Sequence, residues 1–311
     1  MKKIAIFGIG GVGGYFGGLL AKEYEHSDLI EIYFIARGQN ERIINTSGLR
    51  LETEEGKFTV FPKKITSDPS SIGKVDYLIC CVKNYDIERS ISALRPCIDR
   101  QTIFIPLMNG FEGNALIRNI FPNNQVWNSC VYLVSELIEP GIVKQTGNMA
   151  SLYFGSGDAP ENLLQEAETI FLNAHIHAAI SPDIDQTIWI KYFFITALAT
   201  ITSFLNASIG EILADKSSKD KLLTLLAEIK AVADAKNISL PDDILQRTLD
   251  KLEGLPYSTT SSMHTDFLKG KSTELQSLTG YIVESAREFK INTPTINMMY
   301  EVLTKKNLQK F

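Results

Sequence analysis

Five kinds of side chain along this 311-residue sequence, lysine, serine, threonine, glutamate and asparagine, stand where they could act on a small anion or carbonyl compound. Trp189-Ile190-Lys191-Tyr192 puts a lysine at the head of a long uncharged stretch. An ammonium pressed against apolar walls has its pKa lowered toward the range where it gives up a proton at neutral pH. The competing reading is a lysine snorkelling at a helix end. Ser258-Thr259-Thr260-Ser261-Ser262-Met263 gathers hydroxyls able to hold a carboxylate, and Glu274 follows twelve residues after Ser262. A carboxylate there can orient a hydroxyl and keep a nearby lysine protonated, or it can simply occupy the first turn of a helix capped by Ser272. Lys83, in Cys81-Val82-Lys83-Asn84, can donate to an anion or a ribose. Asn109, in Leu107-Met108-Asn109-Gly110, can both donate and accept. Taken singly, these two are a solvated lysine and a turn-forming Asn-Gly pair.

The frame that would position them opens the chain. Gly8-Ile9-Gly10-Gly11-Val12-Gly13 follows a short apolar strand, Ile4 to Phe7, and leads into a helix from Gly13 to Glu23. This spacing lets a pyrophosphate sit on a helix N-terminus. Gly8 permits the tight turn, Gly10 the approach of the phosphates, and Gly13 the close packing of helix on strand. A second strand, Glu31 to Ala36, runs into Arg37-Gly38-Gln39 with no acid at its tip. An acid there would select the ribose hydroxyls of NAD, whereas a guanidinium pairs with a 2′-phosphate, so the reading is NADP.

Further strands are expected at Asp76–Val82 and Thr102–Leu107, with short ones in Val126–Leu137, Gly141–Gln145, Ser151–Phe154 and Ala178–Ser181. Gly48–Glu52 and Phe58–Pro62 read as a hairpin inserted before the Asp76 strand. Strand alternating with helix implies a Rossmann-like, doubly wound α/β domain over residues 1–182. Beyond Pro182 helical periods take over, at Ile184–Leu205, Ile209–Leu213, Ser218–Lys236, Pro241–Glu253, Thr260–Lys269 and Ser272–Lys290. Residues 183–311 therefore read as an all-helical second domain. In an open parallel sheet a ligand lies beyond the carboxyl ends of the strands, where Lys83 and Asn109 fall.

Bulk numbers narrow the classes. A net charge of −5 argues against nucleic acid or an anionic membrane surface as a partner. Tyr192 to Gly210 carries no charge over 19 residues, but threonines, serines and an asparagine interrupt it, so it reads as a buried core helix and not a membrane span. The N-terminal apolar run lacks the features of a signal peptide. Four cysteines without a C-x-x-C pair suggest a reducing, cytoplasmic setting. His175 and His177 would share a strand face but have no third ligand near them, so no metal is expected. The helical half can present a homodimer face.

In their order and spacing, Gly8-x-Gly10-x-x-Gly13, Arg37, Val82-Lys83, Asn109-Gly110, Trp189-x-Lys191 and Ser261-Ser262-Met263 with Glu274 downstream resemble the ketopantoate reductase (2-dehydropantoate 2-reductase) family over essentially the whole chain. The resemblance implies a second domain like the C-terminal domain of 6-phosphogluconate dehydrogenase. It also implies NADPH-dependent reduction of a 2-keto acid, ketopantoate to (R)-pantoate, in pantothenate and coenzyme A synthesis. Lys191 matches the general acid, Glu274 the contact to the substrate hydroxyl and Ser262 the holder of the carboxylate. Lys83 and Asn109 match residues near nicotinamide and substrate. Hydride attack on a ketone develops negative charge on oxygen, which a protonated lysine stabilises and then neutralises. The sequence departs from the family at Ile195, Ala199 and Thr259, where asparagines are usual; Thr196 and Thr200 offer hydroxyls in compensation. The alternatives are a reductase of the same family acting on a different, more apolar 2-keto acid, and an inactive NADPH-binding sensor. A 6-phosphogluconate-type or hydroxyacyl dehydrogenase lacks support from the lysine–serine–glutamate order.

Overall fold

The computed structural model describes residues 1–308 and divides into two compact units, Met1–Ile184 and Asp185–Phe311. In the first unit the elements run β1 (Lys2–Phe7), α1 (Gly11–Glu23), β2 (Ile30–Ile35), α2 (Gly38–Ser47), β3 (Leu49–Thr53), β4 (Gly56–Val60), β5 (Lys64–Thr66), β6 (Tyr77–Cys80), α3 (Asn84–Ser90), β7 (Ile103–Pro106), α4 (Glu112–Ile120), β8 (Asn128–Glu139), β9 (Ile142–Gly155), α5 (Glu161–Asn173) and β10 (His177–Ile180). Five of these strands form a parallel sheet in the order β5-β2-β1-β6-β7. Its strands are apolar on both faces because both are covered. Ile4, Ile6, Ile32, Phe34, Ile79 and Ile105 point into a core shared with α1 and α5. The alternate residues, among them Ala5, Phe7, Ile35, Leu78, Cys80 and Phe104, point into a second core with residues of α3 and α4.

The expected single sheet is in fact two. β10, β9, β3 and β4 form a second, mixed sheet, with β8 pairing antiparallel to β9. The hairpin expected beside the core sheet, β3–β4, belongs here. The two short strands expected at Gly141–Gln145 and Ser151–Phe154 are one strand, β9. Its register against β8 shifts between Leu133 and Ser135, opposite which β9 carries the extra residues 146–149, with Gly147 at a φ of 78°. A bulge of this kind absorbs surplus residues without ending a strand. Apolar periodicity reveals that a residue faces a greasy layer but not which layer, so the second sheet was hidden.

Helix α1 lies between the sheets, and its glycines are the reason it fits. A methyl on Gly13 would overlap the Gly8 carbonyl oxygen and reach within 2.8 Å of Cys81 Cβ, while one on Gly17 would come within 3.0 Å of Phe34. Toward the second sheet, a methyl on Gly11 would overlap the Ser135 carbonyl, and one on Gly14 would meet Val143 at 2.5 Å.

The second unit is helical: α6 (Ile184–Leu205, whose first residue closes the first unit), α7 (Ile209–Ala214), α8 (Lys216–Ala235), α9 (Ile244–Glu253), α10 (Ser262–Leu268), α11 (Tyr281–Glu288) and α12 (Pro294–Leu308). α6 is long and apolar enough to cross a membrane, yet most of it is buried within the protein. The helix expected from Ser272 begins instead with a π-helical turn at Gln276–Gly280. α12 was not anticipated. Its leading N–H groups, on Thr295 and Ile296, are held by the carboxylate of Glu228 in α8, a cap supplied from 67 and 68 residues away. Ile296, Met299 and Leu303 then form its buried stripe.

Gly13→Ala is expected to destabilise the protein by about 2–3 kcal/mol, because backbone and not a flexible side chain must yield. Thermal unfolding checks this: a melting temperature unchanged from the parent would contradict the packing described.

Candidate active site

Because the first sheet is parallel and in register, Ile35, Phe7, Cys80 and Pro106 line up as one row across β2, β1, β6 and β7. The chain leaves that row at one edge four times. After Phe7 it enters the glycine turn, where Gly8 has a φ of 94° and its N–H donates to the Ile35 carbonyl at 3.0 Å. A side chain on Gly8 would press on Val82, and one on Gly13 on Gly8 itself, but a methyl on Gly10 meets nothing within 4 Å. Gly10 caps α1 without any side-chain hydrogen bond, and the first turn of the helix holds no acid. An uncapped helix N-terminus with open space before it is where backbone N–H groups and the helix dipole take a pyrophosphate. Ile9 is buried and holds the turn to the core.

After Ile35 the chain passes Ala36 to Arg37, an exposed residue that precedes α2 and so stands at the same edge. After Cys80 and Pro106 come Lys83, which precedes α3, and Asn109, followed by Gly110 at a φ of 80°. Asn84 links these two turns: its amide donates to the Asn109 carbonyl at 2.6 Å, and its own carbonyl oxygen is buried with no partner. Sequence reasoning passed over Asn84. Its only local signal was its place next to Lys83 at a helix start.

In the second unit, Lys191 lies in the first half of α6 and is half-buried, and Glu274 is 6% exposed. Tyr192 connects their segments. Its hydroxyl shares a hydrogen bond between the carbonyls of Ser277 and Leu278, at 2.8 and 2.6 Å, in the π turn just beyond Glu274. A second contact joins Thr200 to Thr279, hydroxyl to hydroxyl at 2.8 Å. Glu274 precedes the helix instead of lying in its first turn, and its carbonyl accepts from Leu278 N–H at 3.0 Å. Ser272 makes no cap.

The hydroxyl cluster divides by task. Ser261 caps α10 through the His264 N–H and lies 3.0 Å from the Thr202 hydroxyl. Ser262 is exposed beside it. Thr259 is anchored by its carbonyl to the Ile209 N–H at 2.8 Å, and Tyr257 likewise to Gly210 at 3.0 Å, which leaves the Thr259 side chain half-buried. His264 Nε2 meets Asn206 Oδ1 at 2.9 Å, which places the ring proton on Nε2, and Nδ1 is buried without a partner. Of the two hydroxyls expected to compensate at α6, Thr200 is committed to Thr279, whereas Thr196 is completely buried with its hydroxyl unpartnered among the described residues. On the face that carries Lys191, the residues one and two turns on are Ile195 and Ala199, both apolar.

Sequence comparisons agree across both units. The profile of the family described as ketopantoate reductase PanE/ApbA matches residues 4–159, and that of its C-terminal region matches residues 183–307. An uncharacterized oxidoreductase of Bacillus subtilis, YkpB, is 27% identical over 300 residues, covering 96% of each chain. The crystal structure of 2-dehydropantoate 2-reductase from Porphyromonas gingivalis W83 is 32% identical, with a TM-score of 0.85 over 97% of this chain and 99% of its own. A PanE/ApbA family ketopantoate reductase from Ralstonia eutropha JMP134 is 27% identical, with a TM-score of 0.90 over 99% of both chains.

Burial, with Lys306 as a smaller contributor, holds the His264 pKa below its ordinary 6.5. Above that value the ring is neutral in folded and unfolded chains alike. As the pH falls through it the unfolded chain takes up the proton first, so stability is lost on acidification. The melting temperature is expected to fall more steeply below about pH 6.5 in the parent than in His264→Gln; equal slopes in the two proteins would remove the argument.

Proposed function

The chain belongs to the ketopantoate reductase PanE/ApbA family, and on that premise we propose that it reduces ketopantoate to (R)-pantoate with NADPH, a step of pantothenate and coenzyme A synthesis. The observation that carries the cofactor half of this reading is the row of strand ends. It brings an uncapped glycine turn, Arg37, Lys83 and Asn109 to one edge of one sheet. The open approach at Gly10 fits a pyrophosphate, and Arg37, two residues beyond the row, fits a 2′-phosphate. When bound, the reduced nicotinamide supplies a hydride to the keto carbon.

The remaining work falls to side chains. Lys191 donates its proton to the carbonyl oxygen as that oxygen gains charge, and remains on the chain as the neutral amine. Glu274, nearly buried, accepts from the substrate hydroxyl and favours the charged form of the lysine. Ser262 holds the carboxylate, with Thr259 beside it and Asn109 as donor to the substrate. The Tyr192 clamp on the π turn keeps the Lys191 and Glu274 segments in fixed register. The protein works in the cytoplasm on a small 2-keto acid.

A second reading follows from α6. With Ile195 and Ala199 on the lysine face, and Thr200 bonded to Thr279, a 2-keto acid with an apolar side chain loses nothing there. A hydroxylated one forgoes hydrogen bonds worth about 1–3 kcal/mol each when a polar partner goes unpaired.

NADPH absorbance, followed with purified protein and a panel of 2-keto acids, decides between the two: ketopantoate is expected to be turned over, and a clear preference for an unhydroxylated branched acid would favour the second. No oxidation of NADPH with any member would leave only the sensor. Lys191→Ala is expected to lower kcat by about 10²–10⁴ with NADPH affinity unchanged. Arg37→Ala is expected to weaken NADPH binding about tenfold or more and NADH binding little. Equal losses would end the NADPH assignment.

A further inference from the structure

The side chain of Asn40, third residue of α2, uses both ends of its amide in long-range bonds. Its Nδ2 donates to the carbonyl oxygen of Ile9, inside the glycine turn, at 2.5 Å. Its Oδ1 accepts from the backbone N–H of Gly141, at the tip of the β8–β9 hairpin, at 2.7 Å. Gly141 is itself fastened, since its carbonyl accepts from Arg50 of β3 at 2.8 Å. Its φ of 78° and the Ile43 side chain, 2.6 Å from where a Cβ would lie, keep that site for glycine. One carboxamide thus joins three segments far apart in sequence: the turn before α1, the start of α2 and the second sheet. Only an amide of this length offers a donor and an acceptor together in place.

Arg37 sits three residues before Asn40, on the N-terminal side of α2. No other side chain in the first turn of α2 hydrogen-bonds to the glycine turn among the described residues. The spacing between pyrophosphate and 2′-phosphate is fixed by the nucleotide. The protein must therefore hold its guanidinium at a matching distance from the turn: the Gly8 N–H to Ile35 carbonyl bond fixes the end of β2 on one side of Arg37, and the Asn40 bridge ties the start of α2 to the turn on the other.

We infer that Asn40 is a positioning residue for cofactor selection: by tying α2 to the Ile9 carbonyl it sets Arg37 at the distance a 2′-phosphate requires, and so discriminates NADPH from NADH without touching either. This rests on the NADPH reading given above. NADH shares the pyrophosphate but lacks the 2′-phosphate, so it serves as the internal control. Damage to the glycine turn weakens both nucleotides, whereas misplacement of Arg37 weakens only NADPH.

The test is direct titration of substrate-free protein with NADPH and with NADH, by nucleotide fluorescence, for the parent, Arg37→Ala, Asn40→Ala and the double variant. Asn40→Ala is expected to lower the NADPH-to-NADH affinity ratio about tenfold, and to leave that ratio unchanged when Arg37 is already alanine, because its effect passes through Arg37. Equal weakening of the two nucleotides by Asn40→Ala, or the same effect with and without Arg37, overturns the inference. A parent that binds both nucleotides equally, or an Arg37→Ala variant that keeps the parent's preference, overturns the NADPH reading and the role of Asn40 with it. Should Asn40→Ala fail to fold, Asn40→Ser, which keeps a hydroxyl toward Gly141, carries the same comparison.

Discussion

The first unit is organised by a distance: β1 and α1 approach until no Cβ fits between the Gly8 carbonyl and Gly13. Every other placement at that edge follows. With α1 drawn onto the sheet at Gly13 and Gly17, its opposite side is thin enough for the second sheet to close over Gly11, Gly14 and Gly18. The helix can then start only one turn past the row of strand ends, so its free N–H groups open at the edge where Arg37, Lys83 and Asn109 emerge. Apolar burial supplies most of the driving force, but it is indifferent to a shift of an ångström or two. Backbone meeting backbone is not, and that fixes the geometry.

The second unit reaches precision by another route. A π turn widens the helix and frees carbonyls that a regular helix would use, and in a dry interior each freed oxygen needs a donor. Tyr192 and Thr200 of α6 reach into that region, Tyr192 to the carbonyls of Ser277 and Leu278 and Thr200 to the Thr279 hydroxyl. The chain thereby gains a rigid joint between two helices whose apolar faces alone would let them slide. Lys191 is the immediate neighbour of one of those anchors.

The sequence was legible wherever a local rule had one structural answer. The glycine turn after β1, the exposed Arg37 after β2 and the long uncharged helix that carries Lys191 were each readable in place, because such residue types shape the chain close to where they stand. What escaped depends on distant partners. The start of α12 shows no local cap because Glu228 supplies it. β5, three residues long, is a strand only because Tyr33 to Ile35 lie beside it. The two halves of β9 read as separate short strands, and the residues between them form a bulge because β8 runs past them. Thr196 and Thr200 seemed equivalent as polar residues on one helix, yet Thr200 is bonded to Thr279 of the π turn while Thr196 is buried with its hydroxyl unpartnered among the described residues. Asn84, beside a lysine that was singled out, gave no sign that its amide reaches Asn109.

Gly10 has a further consequence. Its neighbours at positions 8, 11 and 13 are locked by sterics, but its own φ of −98° is open to any residue and nothing crowds it. Mutation there meets no steric check in folding: a side chain would project into the open space before α1, which the proposed function gives to a phosphate, while the protein around it stayed intact. Lineages of this chain can therefore lose catalysis in a single step and keep a well-folded, long-lived protein, so normal abundance in a cell is no guide to whether a variant still works.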